Sequence, residues 1–481
     1  MKTRPPALRR TKIVCTIGPA TASPAAIRSL AVAGMNVARL NFSYGTHESH
    51  AAVIAAIRSV AGDLDRPIAV LQDLCGPKLR VGEIPGGEVR LRSGDEITLR
   101  LRGRPAPGDI PLPLPELAGA AEPGQRLLLS DGRIELRVVA SAGSAISCRV
   151  AIGGLLESHQ GINLPDAVLP IRTVTPKDLV DFRFGVEQKV DWVAMSFVRR
   201  AQDLAPLRRL AKDAGADLPL ISKIEKHEAI ADLDNIIDAS DGIMVARGDL
   251  GIELPLAQVP ILQKKIISRS NAAGKPVITA TQMLESMIAS PRPTRAEVSD
   301  VANAVFDGAD AVMLSGETAA GHYPTAAVRV MAEVVARAES AYDFEKRWVD
   351  CAAWPCDTIA DGISEAACGL ARDVNAAAII SATSTGHTAL AVARQRPKTR
   401  LVAVTPNVAT LRRLSLVWGV HALLAARGRH TDELIINAVH RAKEAGFVRV
   451  GDRVVVTAGV PIGAGNTNLI KVEVVGKHER L

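Results

Sequence analysis

The stretch ISKIEKHEAI, residues 221–230, ends a short apolar run with Lys223 and, two places later, Glu225. On a β-strand, side chains two apart project to one face, so an ammonium and a carboxylate would stand side by side. Alone, such a pair is more often a salt-bridged strand end than a site. Further on, VARGDLGIEL supplies Asp249. The carboxylates Glu225 and Asp249, with no His/Cys cluster at zinc-ligand spacing, suit a hard divalent cation that keeps several waters and is shared with a phosphorylated substrate, Mg²⁺ first and Mn²⁺ second. Lys223 and Arg39 add positive charge for phosphoryl oxygens. Phosphoryl transfer needs mainly positioning and charge neutralisation, so this set is sufficient in kind for a kinase reaction. Gly248 precedes an expected helix, whose free N–H groups and dipole would receive a carboxylate. No G-x-x-x-x-G-K-[ST] loop occurs, which disfavours a P-loop enzyme.

The elements that must hold these residues follow from an alternation of short apolar runs with Ala/Leu/Arg-rich helical stretches, the pattern of a parallel sheet. Eight runs qualify: IVCTIG from 13, VARLNF from 37, IAVLQD from 68, WVAMSF from 192, LISKIE from 220, GIMVAR from 242, VITATQ from 277 and AVMLSG from 311. Strands buried on both faces and separated by single helices predict a (β/α)8 TIM barrel, with its chemistry at the C-terminal strand ends. Those ends hold Thr16, Arg39, Asn41, Ser43, Asp73, Lys223, Glu225, Asp249, Thr281, Ser315 and Glu317.

More than a hundred residues separate the third and fourth runs and contain alternating short strands with Gly/Pro punctuation, GGEVRLRSGDEITLRL and QRLLLSDGRIELRVV among them. They predict a small β-barrel or sandwich inserted over the strand ends as a lid. After about residue 345, helix and strand alternate again, predicting a C-terminal open α/β domain. The expected division is a catalytic barrel over 1–75 and 171–345, an inserted β-barrel lid over 76–170, and a C-terminal domain over 346–481.

Composition narrows the class. The 481 residues are 47% hydrophobic, 23% charged and only 3% aromatic, which is globular and poor in stacking surface for single-stranded nucleic acid. The net charge of +7 is spread along the chain and fits small anionic substrates better than DNA. Six cysteines without a C-x-x-C pair read as reduced thiols of a cytoplasmic protein. No signal sequence or membrane-spanning run is expected.

With TKIVCTIGPA, GMNVARLNFSYG, LISKIEKHEAI, IMVARGDLGIEL, TATQMLESM, PRPTRAEVSDVANAV and AVMLSGETAAGHYP, the chain resembles the pyruvate kinases from about residue 11 to its C-terminus. The resemblance implies transfer of the phosphoenolpyruvate phosphoryl group to ADP, giving pyruvate and ATP, the final step of glycolysis. It assigns Lys223 to the phosphoryl group in flight, Glu225 and Asp249 to Mg²⁺, and Arg39 to the phosphate. Gly248, Asp249 and Thr281 would hold the substrate carboxylate, and Thr281 and Ser315 a proton-delivering water, with Glu317 ordering it. Nucleotide would lie near Thr16, Asn41, Arg80 and Lys177. A homotetramer is also implied.

Two departures stand out. Where pyruvate kinases that require K⁺ read D-T-K-G-P-E-I-R, this chain has Asp73-Leu74-Cys75-Gly76-Pro77-Lys78-Leu79-Arg80. With Asn41, Ser43, Asp73 and the Leu74 carbonyl forming an oxygen-lined pocket, the Lys78 ammonium would take the place of K⁺, as in members of the family that need none. In N-F-S-Y-G, Tyr44 replaces the common His, a change that bears on nucleotide binding. In the C-terminal domain, Thr383-Ser384-Thr385-Gly386-His387-Thr388 lies between a strand and a helix and resembles the loop that holds an effector phosphate, with GVPIGAGNTN from 459 closing over it. No basic residues suit a second phosphate, so a sugar monophosphate or AMP is the expected activator. The competing readings are another enolate-handling barrel enzyme and a catalytically silent sugar-phosphate sensor.

Overall fold

Each of the eight apolar runs is a strand of one closed parallel barrel in the computed structural model, which describes residues 9–166, 171–460 and 467–476. The strands are β1 (Lys12–Ile17), β2 (Val37–Asn41), β3 (Ala69–Asp73), β4 (Trp192–Met195), β5 (Leu220–Ile224), β6 (Gly242–Ala246), β7 (Val277–Ala280) and β8 (Ala311–Leu314). They pair in sequence order, with β8 closing on β1. The large core packs strands against the outer helices, and a second cluster fills the barrel with Val14, Val37, Leu71, Ile221, Met244 and Met313 among others.

Period-two alternation explains why this interior turns polar at one end. Two residues beyond Val14, Val37, Leu71 and Ile221, on the same face, come Thr16, Arg39, Asp73 and Lys223. Register then sets neighbours: Thr16 lies opposite Arg39, and Asn41 opposite Asp73.

Where a small barrel or sandwich is expected between β3 and β4, the strands form a six-stranded sheet and a separate two-stranded ribbon, Glu88–Leu91 with Gly154–Glu157. The outermost strands of the six, Ile110–Pro111 and Ile162–Asn163, are two residues long and not paired with each other. Strands that short, one ending in a proline without an N–H, offer too few donors to close the sheet. Both pieces nonetheless share one core built on Leu99, Leu136, Ile146 and Leu156.

In the C-terminal domain the sheet order is Val420–Leu424, Arg400–Thr405, Ala378–Ala382, Arg453–Ala458, Leu469–Val474, parallel except for the last strand. This domain reaches into the barrel, for Leu416, fully buried, belongs to the apolar cluster inside it. The Trp192 indole N–H donates to the Arg413 carbonyl at 3.2 Å, and Arg412 pairs with buried Asp191 at 3.0 Å. All six cysteines are free, and among the described residues no helix is long and apolar enough to cross a membrane.

Candidate active site

Lys223 and Glu225 do not form an isolated pair, for other groups converge on them. Lys223 Nζ lies 2.9 Å from Glu225 Oε1, 3.3 Å from Asp73 Oδ1 and donates to Ser196 Oγ at 2.7 Å. Burial would lower the pKa of this ammonium, but the Asp73 and Glu225 carboxylates outweigh it and hold the pKa above its ordinary value. Lys223 is therefore a fixed cation, not a proton donor. Burial also opposes ionisation of Asp73, yet Lys223 and Arg39 carry its pKa below the usual carboxylate range. Arg39 grips Asp73 Oδ2 through Nε at 2.6 Å and donates to Thr16 Oγ1 at 2.9 Å.

Glu225 is the strained member. Its side chain is 1% exposed; Oε2 accepts the Phe197 N–H at 2.8 Å, while Oε1 has no directed hydrogen bond besides the ion pair. Burial first, and the nearby negative charge of Asp249 next, push its pKa up against the pull of Lys223. A buried carboxylate with spare lone pairs, facing a second carboxylate, fits a divalent cation, so the residues present suit the expected Mg²⁺. Asp249 stands in the first turn of the helix Arg247–Glu253, directly after β6.

Beside it, the Gly248 N–H donates to Thr281 Oγ1 at 2.7 Å. Two of the three residues expected to meet a carboxylate thus bond to each other here. Thr281 and Gln282 both have positive φ, 66° and 54°, unusual for residues with a Cβ. Arg247 holds this turn: it donates to the Thr281 carbonyl at 2.7 Å and the Ala280 carbonyl at 3.2 Å, and pairs with Asp300 at 2.7 Å. Ser315 stands at the end of β8, half-buried. Glu317, expected to order a water, is instead buried and accepts the Ser315 and Leu284 N–H groups at 2.7 and 3.1 Å. Its oxygens join two loops.

Among the described residues no hydrogen bond or ion pair joins the residues expected at the nucleotide to one another. Thr16 is buried, and its hydroxyl is committed to the Leu314 carbonyl and to Arg39, which makes it a support for Arg39. Lys177 donates to the Phe42 carbonyl at 2.8 Å, next to Asn41, while Arg80 reaches the lid at the His159 carbonyl, 2.8 Å away. Of the monovalent-cation set, Asn41 accepts the Ser43 N–H and the Leu74 carbonyl accepts the Ser196 hydroxyl. Lys78 is exposed, its stem beside Gly161, and among the described residues no hydrogen bond or ion pair joins its ammonium to those oxygens. Tyr44 is exposed too.

Three groups escape the sequence reading: Ser196, Phe197 and Arg247. A serine closing the run WVAMSF was the available signal for the first; the Phe197 contribution is a backbone N–H at positive φ, which residue type does not announce.

The model of the pyruvate kinase barrel domain matches residues 8–328, and that of the pyruvate kinase alpha/beta domain residues 361–473. The chain belongs to the pyruvate kinase family. Pyruvate kinase 2 of Synechocystis sp. is 49% identical over 476 residues, covering 98% of this chain and 80% of that protein. A pyruvate kinase of Clostridium acetobutylicum is 42% identical, covering 97% of this chain and 100% of that one. Among solved structures, a pyruvate kinase from Cryptosporidium parvum superposes with a TM-score of 0.93 at 36% identity, covering 97% of this chain and 96% of that one. Pyruvate kinases as a family use Mg²⁺, phosphoenolpyruvate and ADP, the ligands that the carboxylates and cations at the barrel mouth suit.

The loop expected to hold an effector lies at the end of the strand Ala378–Ala382. Thr383 Oγ1 accepts the Gly386 N–H at 2.9 Å, Thr388 Oγ1 is bonded to Thr467 at 2.8 Å, and Thr410 donates to the Ser384 carbonyl at 2.8 Å. Thr385 and His387 adjoin a cavity of ≈ 380 Å³ between this domain and the barrel. Most of GVPIGAGNTN falls in 461–466, outside the described residues.

Proposed function

We infer that the protein transfers the phosphoryl group of phosphoenolpyruvate to ADP at the mouth of the barrel. The observation that carries this is the Lys223 ammonium held between Asp73 and Glu225, with Asp249 near enough for its charge to act on Glu225. Lys223 meets the phosphoryl oxygens as a fixed positive charge, and Arg39, braced by Asp73 and Thr16, holds the phosphate. When bound, Mg²⁺ supplies charge neutralisation between substrate oxygens and the carboxylates of Glu225 and Asp249. The Gly248 and Asp249 amides, with the Thr281 hydroxyl, hold the substrate carboxylate by exchanging their mutual bond for bonds to the ligand. Loss of the phosphoryl group leaves an enolate of pyruvate, and Thr281 and Ser315 orient the water that protonates it. Arg80, Lys177 and Asn41 take the nucleotide.

The same reading extends to K⁺. Lys78 lies on the loop that leaves Asp73 at the end of β3 and carries no ion pair among the described residues, which leaves its four-carbon stem able to turn inward and replace the monovalent cation. Activation by a sugar monophosphate or AMP at Thr383–Thr388, a homotetramer and a cytoplasmic location complete the proposal. A coupled assay of pyruvate formation in Na⁺-only and in K⁺ buffer tests it. Nearly equal rates are expected, with K⁺ dependence introduced by Lys78→Glu. Absence of pyruvate under both conditions would reject the activity; saturable K⁺ activation of the unmodified protein would reject the role of Lys78 alone.

A further inference from the structure

His227, Glu228 and Glu253 bring an imidazole nitrogen and two carboxylate oxygens within 4.8 Å of one another, the one such convergence among the described residues. They come from the segments that follow β5 and β6, His227 and Glu228 opening the helix His227–Ala231 just after Glu225 and Glu253 ending the helix that carries Asp249. His227 Nδ1 lies 3.3 Å from Glu228 Oε2 and 3.6 Å from Glu253 Oε2, and none of these three buried atoms makes a hydrogen bond. Glu253 is the telling member. Its side chain is 1% exposed, and Oε1 is satisfied by Lys226 at 2.6 Å and Asn163 at 3.3 Å, yet Oε2 points at the other two atoms unpartnered.

The spacing has a simple reading. Ligand atoms about 2.1 Å from a tetrahedral centre stand about 3.4 Å apart, close to both measured separations and longer than a good N–H···O bond. The donor set of one imidazole and two carboxylates favours a borderline cation such as Zn²⁺ or Co²⁺ and also accepts Mn²⁺ through its two carboxylates. The Lys226–Glu253 bond fixes the ligating carboxylate from behind, as outer-shell partners of metal ligands do. An adjoining cavity of ≈ 40 Å³, lined by Glu228, Lys226, Asn163 and Asp249 among others, has room for water in the open coordination position.

We propose that His227, Glu228 and Glu253 form a second divalent-cation site, separate from the Glu225–Asp249 pair and selective for nitrogen-accepting ions. Occupation ties the β5 loop to the β6 loop and so fixes the relative placement of Glu225 and Asp249. The inference does not depend on the reaction catalysed.

Pulsed electron paramagnetic resonance of the full, metal-stripped chain titrated with Mn²⁺ alone distinguishes the sites, because only this one has a nitrogen ligand. Coupling to a directly bound ¹⁴N is expected in the wild type, retained in Glu225→Gln, and lost in His227→Ala. In Glu228→Gln, Mn²⁺ uptake at the nitrogen-coupled site should weaken at least about tenfold, the scale of loss found even for outer-shell partners. If circular dichroism shows His227→Ala unfolded, Glu228→Gln carries the comparison. Absence of nitrogen coupling at saturating Mn²⁺ in the wild type, its survival in a folded His227→Ala, or its loss in Glu225→Gln would each overturn the proposal.

Discussion

Around Lys223 two buried carboxylates and one ammonium are balanced against a cost of burial that each would otherwise fail to meet. Replacing Lys223 with Met keeps the bulk and removes the charge, leaving Asp73 and Glu225 to repel each other in a poorly solvated site. Turnover should fall by about 10²–10³-fold, the loss typical of removing one preorganised electrostatic contact. The same coupled assay measures it, and unchanged turnover would remove Lys223 from the mechanism. That Lys223 and Arg39 face the barrel interior was legible from spacing, since a period of two carries them onto the face of Ile221 and Val37; Glu225 and Asp249 were singled out by residue type at the strand ends. Ser196 and the Phe197 amide were not, because their part depends on β4 lying between β3 and β5 in space.

At the scale of the element, function rests on how the loops after the strands are pinned. Gly76, at the entry to the lid, has φ +66°, and its N–H donates to Asp178 at 3.0 Å. A Cβ there would stand 2.8 Å from Phe197 Cδ2 and 3.0 Å from Ser196 Cβ. Gly76→Ala therefore adds about 1–2 kcal/mol of left-handed backbone strain and displaces Phe197, whose N–H anchors Glu225. A lower melting temperature and a higher Mg²⁺ concentration for half-maximal activity are expected. An Mg²⁺ titration unchanged from the wild type would disconnect Phe197 from the proposed role of Glu225 at the metal. The barrel strands were readable as elements because burial on both faces leaves continuous apolar runs. The lid ladder was not, since short alternating strands leave register and partner open.

Across the molecule, two of the contacts between the C-terminal domain and the barrel carry predictions. Leu416 fills the barrel interior, and Leu416→Ala should cost about 2–5 kcal/mol through the cavity it leaves, seen as a lower midpoint in urea unfolding. Lys12, on β1, is buried and donates to the Val420 carbonyl at 2.7 Å. Burial, then the charges of Arg9 and Arg66, lowers its pKa to about 7, against the pull of Glu339 and Asp310. Between that value and the ordinary 10.5 the unfolded chain binds a proton that the folded one releases, so stability rises with pH across this window. Melting temperatures measured from pH 7 upward should show this rise in the wild type, and Lys12→Met should lack it. Identical pH profiles would place Lys12 in water.

From residue order come the number of barrel strands, the face each presents and the charged groups at their mouths, because strand geometry translates spacing directly into side. Folding alone settles which of those groups meet. It buries Thr16 behind Arg39, turns Glu317 onto backbone, leaves Lys78 exposed and threads Leu416 into the barrel. These outcomes turn on distances between segments remote in the chain, and local pattern carries no information about such distances.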